Sequence, residues 1–199
     1  MKAFRRRSSC LALVLVTLCV VGLGPADSPR PSTAPSVPKI GDKASDFMLD
    51  GLDGQSVRLS DVTKNNPVVL IVLRGWPGYQ CPLCTRQVAE VIGHVKEFEA
   101  AGVKVLMVYP GPADRLNEHA KEFFKDKELS DVFRLLVDPD FKFTDAYGLR
   151  WNAPHETAYP STFVIDRQNV VRFAKVSKSH GDRASTVEVV RVLSQLKPD

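Results

Sequence analysis

Cysteine is scarce in this chain of 199 residues, which holds four. Two of them, Cys10 and Cys19, fall in an N-terminal stretch that reads as removable. Only Cys81 and Cys84 remain, too few for a disulfide-built scaffold and enough for one redox pair. An excess of one charge is lacking too. The net charge of +4 comes from 27 basic and 23 acidic residues, and residues 1–26 hold four bases and no acid, which leaves 23 of each sign. A nucleic-acid partner is therefore not expected, and the mixed charges suit an ordinary solvated surface. The longest uncharged apolar stretch, Cys10 to Gly24, falls short of the roughly 20 residues a membrane span needs. The four histidines, His94, His119, His155 and His180, show no metal-like pairing, so no metal is expected. No internal repeat is present.

Lys2, Arg5, Arg6 and Arg7 precede the apolar stretch, and Gly24-Pro25-Ala26 offers a small-x-small cleavage site. Residues 1–26 thus read as a signal peptide or, uncleaved, an N-terminal anchor, with no further membrane contact expected. The destination is exported: periplasm, cell envelope or secreted. Residues 27–39 carry Pro29, Pro31, Pro35 and Pro38 among serines and read as an extended tether. Residues 40–199 suffice for one domain with one substantial core.

Within that domain, Ala44 to Ser60 reads as two short strands around a turn at Gly51-Leu52-Asp53-Gly54. Pro67 to Arg74 is a continuous apolar run suited to a strand buried on both faces. Val88, Val91, Ile92, Val95 and Phe98 recur at helical spacing until Gly102. Val103 to Tyr109 is a second buried strand, completing a βαβ unit. Helices are expected over Asp114–Lys127, Phe141–Tyr147 and Thr186–Leu196, and strands over Phe133–Val137, Ser161–Ile165 and Val170–Val176. The class is α/β, a central mixed β-sheet flanked by helices. His94 falls beside the apolar face of the cysteine helix, His119 on a solvated helix face, and His155 and His180 in loops.

The segment Trp76-Pro77-Gly78-Tyr79-Gln80-Cys81-Pro82-Leu83-Cys84 joins the first buried strand to the helix. Residues three apart on a helix lie about 5–6 Å apart at Cβ, so a small adjustment of the first turn lets the two sulfurs bond. A helix N-terminus also favours a thiolate through its free N–H groups and dipole.

These motifs resemble the thioredoxin-like superfamily and, within it, the alkyl hydroperoxide reductase/thiol-specific antioxidant branch, over about Ile40 to Leu196. The resemblance implies a thioredoxin-like fold and an external thiol reductant in place of a cofactor. Peroxiredoxins run Pro, three residues, Thr, two residues, Cys; Pro77, Cys81 and Cys84 fall on that spacing, with Cys84 in the peroxidatic place and Cys81 replacing the threonine. Tyr79, Pro82 and Thr85 belong to the same loop. Three residues before Phe163, where peroxiredoxins carry an arginine, stands Pro160, and Tyr159-Pro160-Ser161-Thr162-Phe163 resembles the thioredoxin pattern with its cis X–Pro bond. Arg74, Arg86 or Arg183 could supply the missing charge.

Two catalytic readings follow. In one, Cys84 attacks a peroxide and Cys81 resolves the sulfenic acid. In the other, the more exposed Cys81 attacks a protein disulfide and Cys84 resolves the mixed disulfide, as in envelope thiol-disulfide oxidoreductases. Either requires a thioredoxin-like reductant or partner. A thioredoxin-fold binding module with an idle disulfide is the third reading, and half of a zinc site a fourth.

Overall fold

The computed structural model describes Met1, residues 36–127 and residues 129–196. Apart from Met1, the expected signal segment lies outside the described residues, as does the tether up to residue 35. Val37 and Pro38, assigned to the tether by composition, pack on the domain: Pro38 is buried and Val37 touches the core.

Seven strands form one sheet in the order β2-β1-β5-β4-β3-β6-β7. Its centre is parallel: β3 (Val68–Val72) pairs with β4 (Lys104–Gly111), and β4 with β5 (Phe133–Pro139). Both margins are antiparallel. On one side β1 (Met48–Gly51) pairs with β5 and with β2 (Ser56–Arg58); on the other β6 (Ser161–Ile165) pairs with β3 and with β7 (Val171–Val176). The apolar run at β3 has its expected cause, because all five residues are buried and alternate between two cores. Val69, Ile71 and Leu73 face one cluster with both cysteines, Val88, Val91 and Phe98. Val68, Leu70 and Val72 face the other with Phe143, Tyr147 and Phe163. This is the mixed α/β sheet the patterning predicts.

The helical stretch after the cysteines is two helices, α2 (Pro82–Gly93) and α3 (Val95–Ala100). The break has a local cause at His94. Its ring Nδ1 lies 2.9 Å from the Glu90 carbonyl, which an unbroken helix would give to the His94 N–H, and that N–H turns to Val91 instead. A helix the patterning does not predict, α1 (Leu59–Thr63), follows β2. Its start is satisfied from outside, since Asp46 accepts from the Ser60 N–H and hydroxyl. The remaining helices among the described residues are α4 (Leu116–Phe124), α5 (Lys142–Ala146) and α6 (Thr186–Gln195). The α5 start is held by buried Asp138, which accepts from the N–H groups of Phe143 and Thr144 and from the Thr144 hydroxyl.

Candidate active site

Past β3 the chain stays beside β4, with the Leu73 N–H on Val108 and the Trp76 N–H on Pro110, then swings away into the cysteine loop. Gly75 makes the swing possible. It sits at φ +69°, and a Cβ there would stand 1.9 Å from the Pro110 carbonyl oxygen. The loop is pinned on its far side as well. Trp76 stacks on His119 with ring centroids 3.6 Å apart, Gln80 donates to the His119 carbonyl at 2.9 Å, and the buried Tyr109 hydroxyl donates to Gln80 at 2.8 Å. His119 therefore belongs to the site wall rather than to a purely solvated face.

Cys81 is extended (φ −76°, ψ 113°) and caps α2, Pro82 takes the first helical position, and Cys84 follows within the first turn. Proline suits that position because its missing N–H would have no intrahelical partner. Thr85 donates from its N–H and hydroxyl to the Cys81 carbonyl, at 3.0 and 3.3 Å. Both thiols are free, and both are buried, Cys81 at 3% exposure and Cys84 at 0%. Cys81 is the more exposed of the two, as expected, but by a margin so small that neither sulfur stands open to solvent.

The two sulfurs form a coupled pair holding one charge. Cys81 is pulled down to about 5, first because the Cys84 thiol donates to it, then through the N–H groups of Cys84 and Leu83 and the charge of Arg183. These helix N–H groups face the sulfur without closing a regular cap bond. Cys84 is pushed up by its bond to Cys81 and by burial, against the pull of Arg183. Three N–H donors nonetheless converge on the Cys84 sulfur: the Arg74 backbone at 3.3 Å, and Arg183 Nη1 and Nη2 at 3.6 and 3.5 Å. A negative charge transferred to Cys84 is received by groups already in place.

Arg74 plays a different part from Arg183. Its buried guanidinium donates to Glu156 at 2.8 Å, to the Tyr79 hydroxyl at 2.6 Å and to the His155 carbonyl at 2.6 Å, so only its backbone reaches sulfur. Arg86 lies exposed on α2 and makes none of the contacts to the Cys84 sulfur. Pro77 is half-buried in the loop. Pro160 is buried, but every peptide bond among the described residues is trans, which corrects the expected cis bond. Nor is its surrounding backbone free for a substrate. Tyr159 N–H donates to Leu149, beside the Arg150–Ala158 bridge, and the Pro160 carbonyl accepts from Ser177, one step beyond the Ser161–Val176 pair of β6 and β7.

Residues 40–174 match the AhpC/TSA family. The chain belongs to that family. Peroxiredoxin Bcp of Bacillus subtilis is 30% identical over 135 residues, 65% of this chain and 80% of its own length. The thiol-disulfide oxidoreductase ResA of Halalkalibacterium halodurans is 24% identical over 198 residues, 100% of this chain and 97% of its own. Among solved structures, peroxidoxin BcpB of Mycobacterium tuberculosis shares the fold, with a TM-score of 0.64 at 23% identity over 81% of this chain and 99% of that one. As an AhpC/TSA protein the chain is a thiol-dependent oxidoreductase.

Set beside the AhpC/TSA pattern, the site keeps an arginine at the sulfur and changes where it comes from. The strand position at which the resemblance places it is Pro160, and the guanidinium arrives from Arg183, between β7 and α6. Glu156, Gln87, Gln80 and Thr157 were not legible as site residues. Gln87 accepts from Arg183 at 2.5 Å, and the Thr157 hydroxyl donates to the Arg74 carbonyl. One signal was available for Gln87: it stands one turn past Cys84, on the helix face the sulfur occupies. Glu156 had none, because its partners lie far away in sequence.

Proposed function

We infer that this oxidoreductase reduces peroxides, with Cys84 as the attacking sulfur and Cys81 as the resolving one. The observation that carries the reading is the Arg183 fork at 3.5 and 3.6 Å from the Cys84 sulfur, beside the Arg74 N–H. Such donors stabilise the attacking thiolate and the charge that develops on the departing oxygen. At rest the charge sits on Cys81. Passing the Cys84 proton to Cys81 leaves a Cys84 thiolate between its three donors. This thiolate attacks one peroxide oxygen, the O–O bond breaks, and the departing oxygen takes the proton held by Cys81. Cys84 is then a sulfenic acid and Cys81 a thiolate beside it. Attack by Cys81 forms the S–S bond and expels hydroxide, which leaves as water. An external dithiol of thioredoxin-like kind returns the pair to its reduced form.

A second reading has its own support. Cys81, low in pKa at a helix N-terminus, has the electronic character of a nucleophile for protein disulfides. Its burial argues against it, because a folded partner must bring a disulfide into line with a sulfur that is 3% exposed, whereas a peroxide is a few atoms across. Stopped-flow peroxide consumption separates the two: Cys81→Ser is expected to keep the first step within about tenfold of wild type, solvent then carrying the proton that Cys81 handles, whereas Cys84→Ser lacks it. Peroxide decay untouched by Cys84→Ser, with brisk insulin reduction by wild type, would establish the second reading instead. Lys2, Arg5, Arg6 and Arg7 and the apolar stretch after them support action outside the cytoplasm, at the envelope or beyond.

A further inference from the structure

The groups that hold Arg183 in place do not themselves touch sulfur. Arg183 Nε donates to the His180 carbonyl at 2.8 Å, and Nη1 to Gln87. The His180 ring packs near Trp151, and its Nε2 lies 2.9 Å from Glu156 Oε1. An ionised carboxylate only accepts, so that nitrogen carries a proton. The other Glu156 oxygen takes Arg74 Nε at 2.8 Å. Burial opposes the charge on Glu156, yet the bonds from Arg74 and His180 outweigh it and hold the carboxyl below its ordinary value. The Arg74 side chain is 3% exposed and Glu156 is 12% exposed, so water screens the pair only weakly.

We propose that Glu156 is a positioning residue of the peroxide site: one carboxylate fastens the segment that carries Arg183 to Arg74, and so holds both donor residues of Cys84 in register. Each oxygen of Glu156 has a separate task. Oε2 neutralises a guanidinium that would otherwise be buried alone, at the point where the chain leaves β3 and presents the Arg74 N–H. Oε1 holds the ring of the residue whose carbonyl orients Arg183. The consequence for turnover rests on the peroxidase reading; the consequence for the thiols does not.

The experiment pairs ultraviolet thiolate titration with single-turnover peroxide kinetics on Glu156→Gln, His180→Ala, Arg183→Gln and the Glu156→Gln/Arg183→Gln double variant. Glu156→Gln is expected to move the thiolate titration up by about one pH unit and to slow the peroxide step about tenfold. On the Arg183→Gln background the same change should cost only about two- to threefold, since only its hold on the Arg74 N–H is left to lose. His180→Ala leaves the buried Arg74–Glu156 pair intact and should shift both readouts in the same direction by less. Equal losses from Glu156→Gln with and without Arg183 would overturn the proposal, as would thiolate titrations of Glu156→Gln and His180→Ala that match wild type. Should Glu156→Gln fail to fold, the His180→Ala titration decides alone. Slow peroxide consumption by wild type would sink the peroxidase reading, while the titrations still decide the role of Glu156.

Discussion

Replacing Arg183 by glutamine tests how the site handles charge. The guanidinium nitrogens stand 3.5 and 3.6 Å from the Cys84 sulfur. A full charge pair at that distance is worth about 4–5 kcal/mol at an effective dielectric of about 20. A hydrogen bond to a charged group contributes about 1.5–3 kcal/mol net. The Arg74 N–H at 3.3 Å remains in the variant, so part of the stabilisation survives. Between these bounds the loss is about 2–4 kcal/mol in the transition state, or a peroxide step about 30- to 1,000-fold slower. Arg183→Lys keeps the charge but not the fork, since an ammonium cannot span the sulfur and Gln87 together, and should lose about tenfold. Stopped-flow tryptophan fluorescence is a suitable assay, because Trp76 sits at the turn that opens the cysteine loop. A fall of less than about threefold in a cooperatively folded Arg183→Gln protein would refute the reasoning, and catalysis would have to rest on the backbone donors.

Two further predictions follow from the same geometry. Cys81 titrates near 5 in the folded reduced protein against an ordinary value of 9.0, so between these pH values the unfolded chain holds the extra proton and stability rises with pH; above 9.0 the raised Cys84 reverses the sign and stability falls. Denaturant melts of the reduced protein should show the rise flattened in Cys81→Ser, and an equal slope in both proteins would contradict the shared-charge description. Gly75→Ala places a Cβ against Pro110 at a positive φ and should cost at least about 2 kcal/mol of stability, read from the same melts. A loss below about 0.5 kcal/mol would mean that the turn into the cysteine loop is laxer than described.

What the amino-acid sequence made legible were features governed by local pattern. The double burial of Val68–Val72, the βαβ unit and the cysteine turn all follow from periodicities of two and 3.6 and from residues a few positions apart. The helix break at His94 was not legible, because a ring nitrogen competing for one carbonyl leaves the apolar spacing intact. Nor was α1, whose first N–H groups go to partners before β1, Leu59 to the Phe47 carbonyl and Ser60 to Asp46. At the site, the cysteines and Arg183 were named, but nothing local separated Arg183 from Arg74 and Arg86. Their fates were decided by long-range partners: Glu156 claims the Arg74 side chain from 82 residues away, and the loop after β7 delivers Arg183 from 99 residues beyond Cys84. The Pro160 pattern misled for a related reason. A proline at that place is compatible with either isomer, and the surrounding β6–β7 hydrogen bonds accommodate the trans one.

The order of events at the two sulfurs is most directly tested by locating the first oxidised atom. Each single-cysteine variant is treated with one equivalent of peroxide in the presence of a sulfenic-acid trap, and the adduct is mapped by mass spectrometry against time. The account predicts rapid modification of Cys84 in Cys81→Ser, at a rate within about tenfold of the wild-type peroxide step, and slow modification of Cys81 in Cys84→Ser. Fast labelling of Cys81 in Cys84→Ser, with Cys84 inert in Cys81→Ser, would contradict it and make Cys81 the attacking sulfur.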